Sequence, residues 1–297
     1  MLFVAFVVNI VLFTRTSRLN FMKNNEKESA TFRDKVVVVT GAASGIGAAI
    51  CRKFADEGAK IGLMDADEKG VKDMEHSLTG SGAEAFAVKC DVSAEEECDF
   101  AIKAFIMRYG GIDVLVNNAG ITQRGAFMET RASVFRKVMD INFFGSLYCA
   151  KASIESIVER KGMIIVIESV AGVTPLLGRS GYCASKHALH GLFTTIRTEI
   201  KNAGAHVMIV CPGFVKTNLQ TRALGADGSV TKRPQSTVGK QTTPEAVAND
   251  IYMAALKRKN MVVLTFMGKL GYWVSRIMPI FYEKMMTRQF RSELEKY

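Results

Sequence analysis

The stretch SGYCASKHALHGL, residues 180–192, places Tyr182 and Lys186 four positions apart. On a helix that spacing puts both side chains on one face. A phenol beside an ammonium can do proton chemistry that neither does alone. A free tyrosine titrates at about 10, and lowering that by two to three units takes about 3–4 kcal/mol of preference for the phenolate. One ammonium at ~4 Å supplies about 4 kcal/mol at an effective dielectric of ~20. Tyr182 would then serve as a general base toward an alcohol hydroxyl. Ser169, thirteen residues upstream at the end of an apolar run, would hold the same oxygen by a hydrogen bond. Such a Tyr–Lys spacing also occurs on ordinary solvated helices, so its meaning depends on what else is in register. Cys183, His187 and His190 flank the pair and read as packing or surface residues.

Chemistry of this kind needs elements that hold the groups still. From Lys35 onward, apolar runs alternate with helical patterns. The runs VVVVT (36–40), KIGLMD (60–65), AEAFAVKCDV (83–92), IDVLVNNAG (112–120), GMIIVIESVAG (162–172), AHVMIVCPG (205–213) and MVVLTF (261–266) read as seven strands. Alternation with helices implies βαβ units, hence α/β architecture: a doubly wound, Rossmann-like parallel sheet in a single domain. Ligands of such sheets bind at the carboxyl ends of the strands.

The first strand runs into TGAASGIG, which opens a helix. Gly41, Gly45 and Gly47, spaced GxxxGxG, let the backbone approach a pyrophosphate, and the helix N-terminus favours its charge. The second strand ends at Asp65, 24 residues after Gly41, where a carboxylate can bond adenosine ribose hydroxyls. A 2′-phosphate ~5 Å from that carboxylate would cost roughly 3 kcal/mol at an effective dielectric of ~20, more than a hundredfold against NADP. NAD is therefore the expected cofactor and NADP the disfavoured one. Lys69 and Lys72 lie near enough to soften the preference, but neither Ser44 nor Ala66, after Asp65, is basic.

In these motifs the chain resembles the compact, single-domain branch of the short-chain dehydrogenase/reductase family, over about residues 33–265. Thr40, Gly41, Ser44, Gly45, Ile46 and Gly47 match the family's cofactor loop. Asp91 and Val92 match its adenine contact, and Asn117, Asn118, Ala119 and Gly120 the segment packed beside the ribose. Asn142, Ser169, Tyr182 and Lys186 match its catalytic tetrad. Pro212, Gly213, Val215 and Thr217 match its nicotinamide loop. The resemblance implies that Asn142 anchors a water relaying protons from Lys186, that Thr217 and the Val215 backbone orient the carboxamide, and that the protein is a homo-oligomer. One departure is Glu168, where the family often has a small residue; strand alternation should carry it away from the cleft.

A pocket is expected from Ile121, Thr122, Gln123, VTPLLG (173–178) and Phe214, with the polar segment 218–243 as a mobile lid. Its apolar lining favours a hydrophobic secondary alcohol or ketone, such as a steroid, retinoid or lipid alcohol. Two further readings stand beside this NAD-dependent oxidoreductase. One is an NADPH-dependent carbonyl or 3-ketoacyl reductase. The other is a non-catalytic NAD-binding membrane scaffold, which would have no need of an intact Ser–Tyr–Lys set.

The net charge of +10 is uneven: residues 1–200 carry 24 Lys/Arg against 23 Asp/Glu, residues 201–297 carry 15 against 6. No nucleic-acid motif accompanies the basic third, so nucleic acid is not an expected partner. The six cysteines lack CxxC pairs and the four histidines lack HxxxH spacing, so no metal is expected. The opening MLFVAFVVNIVLF is followed by Arg15 and Arg18. As a helix it would reach roughly 20 Å, short of a ~30 Å hydrocarbon core. Residues 1–18 thus read as a marginal membrane anchor, 19–33 as a linker and 34–265 as the catalytic domain. If the anchor spans, its basic flank places the body on the cytoplasmic side, at the endoplasmic reticulum in a eukaryote. Residues 266–297 read as an amphipathic extension. Leu270, Trp273, Val274, Ile277, Met278, Phe281 and Tyr282 fall near helical spacing among Lys269, Arg276, Lys284 and Arg288, as suits a membrane interface. Both ends together resemble membrane-associated family members such as the 11β-hydroxysteroid dehydrogenase group.

Overall fold

The computed structural model describes residues 31–219, 221–231 and 241–291. The segment 1–18 and most of the linker lie outside these residues. Strands β1 (Val36–Thr40), β2 (Lys60–Asp65), β3 (Ala85–Lys89), β4 (Val114–Asn117), β5 (Met163–Ile167), β6 (His206–Cys211) and β7 (Met261–Val263) form one parallel sheet, in the order β3-β2-β1-β4-β5-β6-β7.

The unbroken valines of β1 are explained by burial on both sides. Val37 and Val39 enter one core with Ile50 and Phe54 of α1 (Gly45–Asp56) and Ile251 and Tyr252 of α7 (Pro244–Leu256). Val36 and Val38 enter the other with Phe105 of α3 (Glu95–Tyr109), Ile157 of α5 (Gly145–Glu159) and Phe193 of α6 (Ser180–Ile200). Helix α2 (Glu68–Gly80) follows β2, and α4 (Ala132–Met139) meets α5 through a π-helical turn, Asp140–Phe144.

The paired strands are shorter than the apolar runs. IDVLVNNAG contributes only Val114–Asn117, and MVVLTF only Met261–Val263. The residues beyond leave the sheet to build loops. Thr265, for example, turns away to cap the next helix, its Oγ1 accepting from Gly268 N at 3.1 Å. Strand order reverses between β1 and β4, and the carboxyl ends flanking that crevice carry Thr40, Asp65, Asn117 and Ile167. That is where ligands of such sheets bind.

The single C-terminal amphipathic stretch is two helices, α8 (Phe266–Ile277) and α9 (Pro279–Phe290). Pro279 is the reason. It has no N–H to continue α8, and it pushes the preceding Met278 off helical geometry, to φ −134° and ψ 64°. Among the described residues, no helix is long and apolar enough to cross a membrane.

Candidate active site

The glycine loop is a tight backbone cradle. Gly41 and Gly45 take φ of 66° and 57°, a region that favours glycine. Gly47 sits so close to the Gly41 carbonyl that a methyl there would collide with it. Ile46 is half-buried, packed against the core. Ser44 caps α1 without using its side chain, which leaves the hydroxyl for an anion at the helix N-terminus. Thr40 ties the loop to the end of β4: its Oγ1 accepts from Asn118 N and Ala119 N, both at 2.9 Å. Asn118 Nδ2 in turn donates to Thr40 O at 2.9 Å and Gly41 O at 3.2 Å.

Asp65 stands beside the loop. Its two oxygens accept from Ala43 N at 2.9 Å and Asp67 N at 3.0 Å. A carboxylate has about four acceptor sites, so capacity for ribose hydroxyls remains. Lys69 and Lys72 are occupied elsewhere, Lys69 with Asp73 at 2.7 Å and Lys72 with Glu75 at 2.9 Å. Asp91 closes its own turn, accepting from Ser93 N at 3.0 Å, while Val92 is buried against Gly145. From the far side, Pro212 O accepts from Val170 N at 3.1 Å, Gly213 packs on Thr265, and Val215 bridges Thr242. These contacts bring the Thr217 methyl to 3.4 Å from the position of a Cβ on Gly45.

Ser169, Tyr182 and Lys186 converge past the end of β5. Ser169 caps a 3-10 turn, Val170–Gly172, its Oγ accepting from Ala171 N at 3.1 Å and lying near enough to the Tyr182 phenol to favour its ionised form. Tyr182 and Lys186 are both buried on α6. The Lys186 ammonium lies 5.8 Å from the Tyr182 ring centroid and donates to Ile167 O at 2.9 Å. Gly120 lies beside both Asn142 and Lys186, a Cβ on it falling 3.0 Å from Asn142 Oδ1 and 3.7 Å from Lys186 Nζ. The Asn142 side chain spends both its donors: Oδ1 accepts from Ile121 N at 2.8 Å, and Nδ2 donates to Ile121 O at 3.0 Å and Ser185 Oγ at 2.9 Å.

The electrostatics depart from the sequence expectation in one respect. The Tyr182–Lys186 spacing predicts a depressed phenol. Burial instead pushes Tyr182 up to about 12, with the bond to Ser169 and the nearby Arg179 charge opposing it. Lys186 itself is brought down to about 8 by burial, opposed by the Glu168 charge. Burial is the dominant cause in both, and the Lys186 ammonium, bonded to the Ile167 carbonyl, does not offset it at the phenol.

Glu168 has a partner that strand alternation does not reveal. It is buried, and its Oε2 pairs with His190 Nδ1 at 3.1 Å. From the sequence alone His190 reads as a packing or surface residue. The available signal was spacing, because Tyr182, Lys186 and His190 recur every four residues on one helix. Cys183 and His187 bond main-chain carbonyls, Leu176 O at 3.9 Å and Cys183 O at 2.9 Å.

Leu176, Leu177 and Phe214 lie under α9, packed against Tyr282, Met286 and Phe290. Residues 221–231 do not stand off as a lid: Ala223 and Leu224 are buried, and Leu224 joins the chain at Thr122 and Arg124 by bonds of 2.9 and 2.8 Å. All six cysteines are free, and no metal-ligating cluster occurs among the described residues.

A parallel sheet with a glycine cradle at its switch point and a Ser–Tyr–Lys cluster one strand away defines a nucleotide-dependent oxidoreductase. The short chain dehydrogenase family model matches residues 35–226. Dehydrogenase/reductase SDR family member 7B of Mus musculus is 35% identical over 273 residues, covering 90% of this chain and 84% of the mouse protein. The Danio rerio protein of the same name is 34% identical, with coverages of 89% and 88%. Among solved structures, a short chain dehydrogenase/reductase from Burkholderia phymatum in complex with NAD superposes with a TM-score of 0.72 at 26% identity, covering 83% of this chain and 95% of that one. An alcohol dehydrogenase from Thermococcus sibiricus, complexed with 5-hydroxy-NADP, gives 0.68 at 26% identity, with coverages of 77% and 95%. The chain belongs to the short-chain dehydrogenase/reductase family and is an NAD(P)-dependent oxidoreductase acting on CH–OH groups.

Proposed function

We propose that the protein interconverts lipophilic secondary alcohols and ketones using NAD. Bound NAD would supply the hydride acceptor and, beside the phenol, a positive charge. The cradle of Gly41, Gly45 and Gly47 with the Ser44 hydroxyl holds the diphosphate. Asp65 holds the adenosine ribose and repels a 2′-phosphate, and the occupied Lys69 and Lys72 offer that phosphate nothing. Asp91 and Val92 border the adenine, Asn118, Ala119 and Gly120 back the ribose, and Pro212, Gly213, Val215 and Thr217 fix the carboxamide.

Ser169 Oγ holds the substrate oxygen and Tyr182 Oη exchanges its proton. With the phenol at about 12, Tyr182 is loaded to protonate a ketone oxygen as hydride arrives. It accepts a proton from an alcohol only when further positive charge is brought beside it. Lys186 provides part of that charge. A proton relay at Asn142 would use a lone pair left on its oxygens, since Oδ1 accepts only from Ile121 N among the described residues and the main-chain carbonyl accepts from Ser146 Oγ at 2.9 Å.

The observation that carries this reading is the buried convergence of Ser169, Tyr182 and Lys186 beside the cradle. The test is a screen of lipid and steroid alcohols with NAD, followed by NADH absorbance, repeated with Tyr182→Phe. The variant should bind NADH normally and turn nothing over; persistent turnover would sink the mechanism.

The two C-terminal helices support a hydrophobic substrate met at a lipid surface. One side of α9 roofs the apolar segment 176–177. Phe266, Leu270, Trp273, Ile277, Ile280 and Phe281 are exposed beside Lys269, Arg276, Lys284 and Arg288. An apolar face with basic flanks suits an anionic membrane interface. The family resemblance supports a homo-oligomer, which light scattering would read directly.

A further inference from the structure

Glu168 is a carboxylate buried where no solvent reaches it, its side chain fully covered while that of His190 keeps 24% exposure. Burying a charge without a partner is costly, and the partner here is an imidazole at the protein's rim. Burial raises the Glu168 carboxyl above its ordinary range, opposed by the His190 bond and by the His190 and Lys186 charges. When Glu168 is ionised it only accepts, and His190 Nδ1 then carries the proton of their 3.1 Å bond. Glu168 also packs so closely beneath the 3-10 turn that any side chain at Gly172 would collide with its Oε1. That turn begins at Ser169. On the other flank, Ile167, the residue before Glu168, supplies the carbonyl that receives the Lys186 ammonium. Glu168 thus lies between the anchor of Lys186 and the turn that aims Ser169. Its imidazole partner continues the stripe of Tyr182 and Lys186 along α6.

We propose that the Glu168–His190 pair is a buried counter-charge that keeps Lys186 an ammonium and braces the Ser169 turn, making Glu168 a positioning residue that never touches substrate. This rests on the reading of Lys186 as the charge partner of Tyr182. The groups facing the carboxylate are Tyr182, Lys186, His187 and His190 from α6 and Cys211 from β6. Of these, Lys186 is the buried cation, and Glu168 is the largest influence opposing the loss of its proton.

The test is a pH titration of the full-length protein labelled with [13Cε]-lysine, with Lys186→Met identifying the resonance. The wild-type signal should titrate at about 8. In Glu168→Gln, which keeps an acceptor for His190 but removes the charge, the midpoint should fall by about one pH unit. His190→Ala, at the more tolerant rim, should move it the same way by at least about 0.3 unit, because a carboxylate with fewer donors protonates more readily. If Glu168→Gln does not fold, His190→Ala decides alone. Midpoints within about 0.2 unit of wild type in the folded variants would overturn the proposal. The titration needs no turnover, so its failure is separable from failure of the Tyr182→Phe assay.

Discussion

Thr217 faces Gly45 across the cofactor crevice, its methyl 3.4 Å from the point where a side chain on Gly45 would begin. Two loops distant in sequence therefore share one wall. Gly45 also holds φ at 57°, where an alanine costs ~1–2 kcal/mol. Gly45→Ala should weaken NADH binding about tenfold with little loss of secondary structure. Cofactor fluorescence titration reads this, and an unchanged Kd would remove the cradle from the cofactor site.

Asp65 is expected to set the cofactor preference. Asp65→Asn keeps an acceptor for Ala43 N but removes the negative charge. The ratio of NADPH to NADH affinity should rise at least about tenfold, out of a repulsion of roughly 3 kcal/mol. A wild-type protein that already binds NADPH more tightly would refute the assignment.

Tyr182 makes a pH prediction whose sign is clear. Its phenol is raised from 10 to about 12 in the folded protein. The unfolded chain therefore loses this proton first, and the stability it contributes is present below pH 10 and lost as pH rises toward 12. The loss is about 2–3 kcal/mol. Urea denaturation at pH 8 and pH 11 should show Tyr182→Phe losing less stability than wild type over that interval. Equal losses would mean that the phenol is not buried as described.

Gly172 and Glu168 should be energetically coupled. Gly172→Ala forces a methyl into the Glu168 carboxylate and should cost about 1–3 kcal/mol. Adding Glu168→Ala clears the space, so the double variant should recover part of that loss, with a coupling of about 0.5–3 kcal/mol. Strict additivity in chemical denaturation would show that the two do not touch.

Trp273 is the only tryptophan in the chain and is exposed on α8. Its emission should shift to the blue with phosphatidylserine vesicles and not with phosphatidylcholine alone. Trp273→Glu should leave the melting temperature unchanged and cut vesicle binding at least about tenfold. Equal binding by wild type and variant would place the lipid contact elsewhere.

The sheet was legible because burial on both faces forces strands such as VVVVT to be apolar at every position. The cradle was legible because only glycine tolerates its dihedral angles and close approaches. Strand ends were not, since the apolar runs continue into loops that serve the site, as at Asn118 and Thr265. Pro279 was visible in the sequence, but helical spacing carried the reading across it. The direction of the Lys186 ammonium was illegible for a different reason. Charge arithmetic assumes contact with the phenol, whereas a nearby main-chain carbonyl competes for the same donor. The Glu168–His190 contact joins residues 22 apart, on a strand end and a helix, and no local pattern encodes it.

The kink at Met278–Pro279 has a consequence for evolution of specificity. On the reading proposed above, Leu270 and Trp273 on α8 would act on where the enzyme resides, and Tyr282, Met286 and Phe290 on α9 would act on what fits against Leu176, Leu177 and Phe214. One imino acid, by turning the chain between the two groups, would then set address apart from appetite.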